Sequence, residues 1–553
     1  MTTKSDNYLM VAALDFGTTY SGYAFSMRSE FKEDPLKIHA NYAWKSGGRA
    51  LMSTKTPTCL LLDKEKKCLA FGYDAENMYA NIVMDGDQEN HYYFHRFKMN
   101  LHNNKALVKH IMDTLQKQGT GVQKEEVRWV LTVPAIWTDK AKQFMRSSAE
   151  EAGIPPHNLI LALEPETASI FCQYLPIEKL QGTTPEFKMT TKGTQYMVVD
   201  VGGGTADLTV HEKASNGQLK ELYRASGNDC GGTSVDNRFF KMLDLVFGEN
   251  VMRALKVDNP LSYLDLMREF EAVKRTIENE KTNKVNLTIP FVSLNKICQK
   301  LHGKDFEIVI KSSPRANDIK LFGDKIRLNH EIMTELFDST VERIVALMRE
   351  ILTNKSTKGV SILLMVGGFS ECHLLQEKIR EAFPDKRIII PEEAGLSVLK
   401  GAVLYGHRPD YVQSRVMRFS YGIKTNVPFD ERKYDRKRLV SMDEEDRCDG
   451  IFSSIAEKDQ QVEAGTIVRK SYFTPYRNQK VMDFEIYTST QQYPAFVDDK
   501  GCEFLSKATI TFLDACEEKR WVDVEYTFGN TEISLKAVDR NSGKEITAKL
   551  NLI

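Results

Sequence analysis

The 553-residue chain is too long for one hydrophobic core, which sets an expectation of roughly two to four domains. Its 75 Lys and Arg nearly balance its 76 Asp and Glu, so no global field draws it to nucleic acid or to an anionic membrane. No apolar run approaches the roughly 18 residues of a membrane span. The nine cysteines stand singly without C-x-x-C spacing, and residues 1–7 lack the apolar core of a signal peptide, so reduced thiols and a cytoplasmic location are expected.

From residue 8 to about residue 405, strand-like and helix-like patterns alternate, the signature of an α/β architecture. Residues 9–14 form an apolar run that reads as a buried strand and ends in Asp15-Phe16-Gly17-Thr18-Thr19. Residues 127–133 read as a strand, 139–152 as a helix, 159–163 as a strand and 165–175 as a helix, with a surface loop over 182–195. Residues 196–199 then repeat the opening theme, an apolar strand ending in Asp200-Val201-Gly202-Gly203-Gly204-Thr205. One such turn alone reads as easily as a tight hairpin. Two of them make a magnesium–nucleotide site: the carboxylates hold a hydrated cation, bare N–H groups and hydroxyls take phosphate oxygens, and glycine admits the ligand closely.

A helix over 262–280 carries Met267, Phe270, Val273 and Ile277 on one stripe and Glu271, Lys274, Arg275 and Glu278 on another. The second stripe reads either as a solvated face laced with ion pairs or as a face toward a ribose and base, with Arg275 able to stack on a purine. Loops are expected over 312–315 and at Gly323-Asp324. A third turn, Met365-Val366-Gly367-Gly368-Phe369-Ser370, follows a strand and precedes a helix over 371–382; it is either a packing turn or a ligand-admitting helix start. After residue 410 the pattern changes. Residues 430–448, dense in charge of both signs, read as a solvated loop. Period-2 runs follow at 467–473, 481–487, 508–512, 521–527, 533–538 and 546–552, the last two joined by a glycine-containing turn at 539–543.

Taken in order, the three turns resemble the phosphate and adenosine motifs of the actin, sugar-kinase and 70-kDa heat-shock superfamily. Glu271-Ala272-Val273-Lys274-Arg275-Thr276, Val133-Pro134-Ala135 and Leu163-Glu164-Pro165-Glu166-Thr167-Ala168 are similar to segments of the heat-shock chaperones. Residues 199–211 and 388–406 resemble the divergent 12A/12B branch, and residues 526–545 resemble the chaperones' β-sandwich. The resemblance implies a two-lobed, actin-like (duplicated ribonuclease-H-like) nucleotide domain over 1–409, with lobe I at 1–194, lobe II at 195–375 and a return to lobe I at 376–409. It further implies a linker at 410–420 and a β-rich domain at 421–553 without a helical lid. ATP or ADP and Mg2+ are the implied cofactors. Asp15 and Asp200 resemble the carboxylates that hold the hydrated ion, and Glu164 an acid that supports its water shell. Gly17, Thr18, Thr19 and Tyr20 resemble one phosphate loop, and Gly202, Gly203, Gly204 and Thr205 the other, with Thr205 near the γ-phosphate. Glu271, Lys274, Arg275, Gly367 and Gly368 resemble adenosine contacts.

Departures from the family shape the functional expectation. Gly72-Tyr73-Asp74-Ala75-Glu76-Asn77-Met78 stands where typical chaperones carry a lysine expected to orient the attacking water, so Glu76 implies impaired hydrolysis. Losing one such electrostatic contact costs about 10² to 10³ in rate. Glu278 replaces a serine, Gly395 falls where an aspartate is usual, and residues 413–419 form a basic linker, poor in leucine. Three classes follow: an ATP-binding chaperone-like protein with slow turnover, whose β-domain takes unfolded polypeptide or a regulatory protein; a nucleotide-binding scaffold; and a sugar-kinase-type phosphotransferase. The β-rich tail and the Glu271–Arg275 stripe argue against the third.

Overall fold

The computed structural model describes residues 8–41, 44–45, 52–98, 122–184, 189–277, 284–512, 517–528 and 531–549. The expected alternation of strands and helices builds two large mixed sheets that repeat one arrangement. In the first, strand Met10–Phe16 lies parallel to Val127–Val133, which lies parallel to the outermost strand Leu159–Leu163, and antiparallel to Tyr20–Met27. In the second, Gln195–Val201 lies parallel to Ile362–Val366 and antiparallel to Ala206–Lys213. Asp15 and Asp200 hold the same place, near the end of the first strand, where the chain turns back into its hairpin partner. Their register partners are Gly22 and Asp207.

A helix buried along its whole length, Ser397–His407, packs against helix Glu164–Tyr174 and strand Met10–Phe16. Val398, Leu399, Ala402, Val403, Leu404 and Tyr405 supply its apolar surface, while Lys400 is paired with Glu393 and His407 with Ser26 Oγ. Gly401 lets it close on its neighbour: a Cβ there would fall 1.8 Å from the Thr167 carbonyl oxygen. No helix among the described residues is long and apolar enough to cross a membrane. The eight described cysteines are all free.

Most expected elements occur within a residue or two of their expected ends. Four readings need correction. The strand expected over 508–512 starts earlier and runs Cys502–Thr511. The helix expected over 262–280 runs Pro260–Arg275, and Glu278 lies outside the described residues. The charged stretch 430–448 is not only loop: Leu439–Met442 pairs with Glu445–Ala456 in an exposed hairpin whose turn residues, Asp443 and Glu444, both have positive φ. The outer strand of this five-stranded sheet carries no charge; the charged residues flank it, before it, in the turn and on the next strand, where Arg447 is buried. Residues 412–416 are not a free linker either. Strand Val412–Val416 joins the second large sheet beside Leu219–Asn228 and pairs on its other side with Gln461–Glu463.

Downstream, the five-stranded sheet faces a four-stranded one across a core that includes Phe484, Ile486, Val522, Val524 and Tyr526. This β-rich part is tied to the first sheet by buried polar contacts. Arg146, 1% exposed, donates to Glu532 and to the Leu159 carbonyl, while Thr531 Oγ1 donates to the Leu161 carbonyl at 2.8 Å. Tyr421 donates to Asp139 at 2.6 Å.

Candidate functional site

The three glycine turns converge on one cavity of about 790 Å³. The first two interlock. A Cβ on Gly203 would fall 2.1 Å from Thr19 Oγ1, and one on Gly204 would fall 2.6 Å from Thr18 Oγ1. The third turn locks onto the second acid: Gly367 has φ +87° and its missing Cβ would lie 2.3 Å from Asp200 Oδ1. These glycines therefore serve close approach of one turn to another as well as any ligand. Of the residues singled out from the sequence, Asp15, Gly17, Thr18, Thr19, Tyr20, Glu76, Glu164, Asp200, Gly202, Gly203, Gly204, Thr205, Glu271, Lys274, Arg275, Gly367 and Gly368 line this cavity.

The acids crowd at the end where the turns meet. Burial pushes the Asp200 carboxyl well above its usual range, and repulsion from Glu164, Asp207 and Asp15 adds to it. Burial likewise raises Glu164 to about 7, Lys98 pulling it down while Asp15 and Asp207 push it up. Asp200 Oδ2 and Thr19 Oγ1 are buried without a hydrogen-bond partner. Orphaned buried oxygens of these two kinds fit a missing ligand: the carboxylate suits a hydrated cation and the hydroxyl suits a phosphate oxygen. Thr205 Oγ1 donates to Asp207 Oδ2 at 2.8 Å, and Asp207 Oδ1 accepts the Ile136 N–H at 3.0 Å, so the second turn is braced from below.

Two lysines escaped the sequence reading. Lys98 sets its Nζ 3.2 Å from Glu164 Oε1, and Lys55 sets its own 2.6 Å from Asp15 Oδ2. Neither belongs to a periodic or glycine-marked motif, so only their proximity to acids distant in sequence reveals them. Lys98 supplies a cation that the argument built on Glu76 did not foresee. The acidic end already has a cation, whereas Glu76 is 4% exposed and accepts from Arg268 at 2.5 Å. Burial raises the Glu76 carboxyl and Arg268 pulls it back only in part. Glu76 is thus an ion-pair partner between helices Tyr73–Met84 and Pro260–Arg275, not a stand-in for the charge beside Glu164.

The other end of the cavity sets an aromatic ring beside a guanidinium and a carboxylate. The Arg275 guanidinium lies 5.4 Å from the Tyr20 ring centroid and donates to Glu271 at 2.9 Å. The Tyr20 ring therefore faces this end of the cavity, while its backbone follows directly on Thr18 and Thr19. Lys274 is 3% exposed and held by Asp236 at 2.5 Å and Glu271 at 2.6 Å, so it positions Glu271 more than it offers a free ammonium. Arg96, also unforeseen, bridges to Asp236 at 2.8 Å. Met267, expected on the apolar stripe, lines the cavity, and Leu264, Leu266 and Phe270 are buried side chains of that helix.

Comparison with known proteins gives the family. The family model described as Hsp70 protein matches residues 73–487. The chain is 32% identical to heat shock 70 kDa protein 12A of Mus musculus and of Homo sapiens, over 100% of this chain and 92% of either relative. It is 31% identical to heat shock 70 kDa protein 12B of Homo sapiens, over 99% of this chain and 91% of that protein. It is also 24% identical to chaperone protein DnaK of Elusimicrobium minutum, over 60% of this chain and 48% of that protein. The chain belongs to the Hsp70 family, whose members carry an actin-like ATPase domain and bind ATP or ADP with Mg2+.

Proposed function

We propose that this chain is an ATP-binding, chaperone-like protein that hydrolyses ATP slowly in the cavity between its two large sheets. In this reading those sheets are the lobes of the nucleotide domain, and the β-rich part takes unfolded polypeptide or a regulatory protein. The observation that carries it is the convergence of the three glycine turns on orphaned Asp200 Oδ2 and Thr19 Oγ1. Asp15 and Asp200 would hold a magnesium ion through its water shell, and that ion, when bound, neutralises phosphate charge. The backbone N–H groups of Thr18, Thr19 and residues 203–205 would orient the phosphates, while the Gly202 N–H closes the turn on the Thr205 carbonyl. Lys98 provides fixed positive charge beside Glu164, and Glu164, raised to about 7, is poised to exchange a proton near neutral pH. Arg275 and Tyr20 offer stacking surface to a purine, and Glu271 offers a hydroxyl acceptor.

A nucleotide-holding scaffold is the second reading. It is favoured by the ion pairs Glu76–Arg268 and Arg96–Asp236, which tie opposite walls of the cavity together and would slow product release. A cytoplasmic location accords with both.

Calorimetric titration with ADP and magnesium, followed by single-turnover ATP hydrolysis, separates the readings. The first expects tight binding and slow hydrolysis that Asp200→Asn abolishes. Binding without hydrolysis above buffer leaves the scaffold, and no binding overturns both. Protection of an unfolded model protein from aggregation tests the β-rich part.

A further inference from the structure

Lys55 reaches Asp15 along a path that the fold provides. It stands between the short strands Met52–Ser53 and Thr56–Pro57, and the second of these pairs with Tyr20 and Ser21 just after the first glycine turn. Its stem runs over Gly22, the register partner of Asp15, where a Cβ would come within 3.0 Å of Lys55 Cγ. The missing side chain at 22 thus leaves the groove that the lysine fills. The ion pair is largely withdrawn from solvent, with 19% of the Lys55 side chain and 8% of the Asp15 side chain exposed.

Lys98 holds Glu164 on the same wall of the cavity, so two of the three carboxylates that line its acidic end carry an ammonium of the protein itself. Asp200 is the third, and its Oδ2 is the orphan. A nucleoside polyphosphate brings three or four negative charges, and a wall of bare carboxylates would repel it unless a divalent ion intervened. Here that wall is already close to balanced. A lysine ammonium on a flexible four-carbon stem can serve a carboxylate and a phosphate alike.

We propose that Lys55 is a built-in counter-cation for the polyphosphate of the bound nucleotide, so that this chain holds ADP or ATP with little dependence on a divalent ion. The proposal rests on the nucleotide-binding reading above and adds a property of this chain's own residues to it.

The test is ADP affinity of the full chain by calorimetry, in magnesium and in EDTA, for wild type, Lys55→Gln and Lys55→Arg. Wild type is expected to weaken by less than about tenfold in EDTA, and Lys55→Gln to lose about 10- to 100-fold there while staying within a few-fold of wild type in magnesium. Lys55→Arg keeps the charge and recovers most of the loss. Wild-type binding that falls by more than about 100-fold in EDTA overturns the proposal and leaves nucleotide binding standing. So does a Lys55→Gln loss that is equal in both buffers, or absent. No ADP binding under either condition overturns the functional reading itself. Because the wild-type comparison needs no variant, it decides the matter even where Lys55→Gln does not fold.

Discussion

Lys98 Nζ stands 3.2 Å from Glu164 Oε1 on the wall of the cavity, with 3% of the lysine side chain exposed. A charge so fixed needs no reorganisation when negative charge grows on a phosphate, which is where electrostatic catalysis is strongest. Lys98→Met is therefore expected to cut single-turnover ATP hydrolysis by about 10² to 10³, with a smaller effect on ADP affinity. Glu76→Lys is expected not to raise hydrolysis, since it sets the introduced ammonium against the Arg268 guanidinium. Undiminished turnover in Lys98→Met would remove that residue from the chemistry.

The Glu76–Arg268 pair yields a kinetic prediction. Arg268→Ala strands a carboxylate that is 4% exposed and frees the helix bearing Arg275 from the helix bearing Glu76. Truncating one partner of a buried charge pair acts mainly on dissociation, so ADP release is expected to quicken about threefold or more. Stopped-flow displacement of a fluorescent ADP analogue measures it, and an unchanged release rate would show that the pair does not close the cavity.

Arg415 and Glu166 form a bidentate pair at 2.6 and 2.7 Å with both side chains buried, joining strand Val412–Val416 to the helix that begins at Glu164. The segment that looked like a plain basic connector thus has one foot beside the cavity. Arg415→Ala leaves a buried charge unmatched and is expected to destabilise the chain by about 3–5 kcal/mol. Pairing it with Glu166→Met is expected to recover much of that loss. Urea midpoints for the two single variants and the double variant check this; a double variant no better than Arg415→Ala would count against the pair as the cause.

Opposing buried groups shape the pH dependence. Burial lowers His95, His211 and His407 to about 4. The unfolded chain takes up their protons from about 6.5 downward and the folded chain does not, so acidification through that window destabilises. Glu221 runs the other way, raised to about 8 by burial first and then by Glu166. The folded chain keeps its proton where the unfolded chain has lost it, so stability falls as pH rises from about 4.5 through 8. Above pH 6.5 the histidines no longer contribute, and melting temperature is expected to decline toward pH 8.5. Glu164 and Asp200, raised in the same direction, add to it, so Glu221→Gln is expected to make that decline shallower without abolishing it, and an unaltered slope would assign it elsewhere.

The site was legible where chemistry and backbone need coincide. Asp15 with Gly17, Asp200 with Gly202 to Gly204, and Gly367 each follow an apolar strand, and a turn that must approach another turn closely leaves glycine as its mark. Lys55, Arg96 and Lys98 left no such mark, because a single cation in a non-periodic stretch has no pattern until the fold brings an acid to it. Glu76 misled for a related reason: position within a motif suggested what it faces, but Arg268 faces it. The hairpin at Leu439–Ala456 was hidden by the charges that flank its short uncharged outer strand, and the buried role of Arg415 depended on a partner 249 residues away.

The outermost strand of the first sheet, Leu159–Leu163, owes its quiet surface to residues near the far end of the chain. Its carbonyls are covered by Thr531 and by Arg146, which Glu532 clamps. An uncovered strand is a template on which other chains add themselves. Contact with the β-rich part is therefore expected to limit strand addition at that edge. The first symptom of its detachment would be polymer growth from that strand rather than the loss of any ligand.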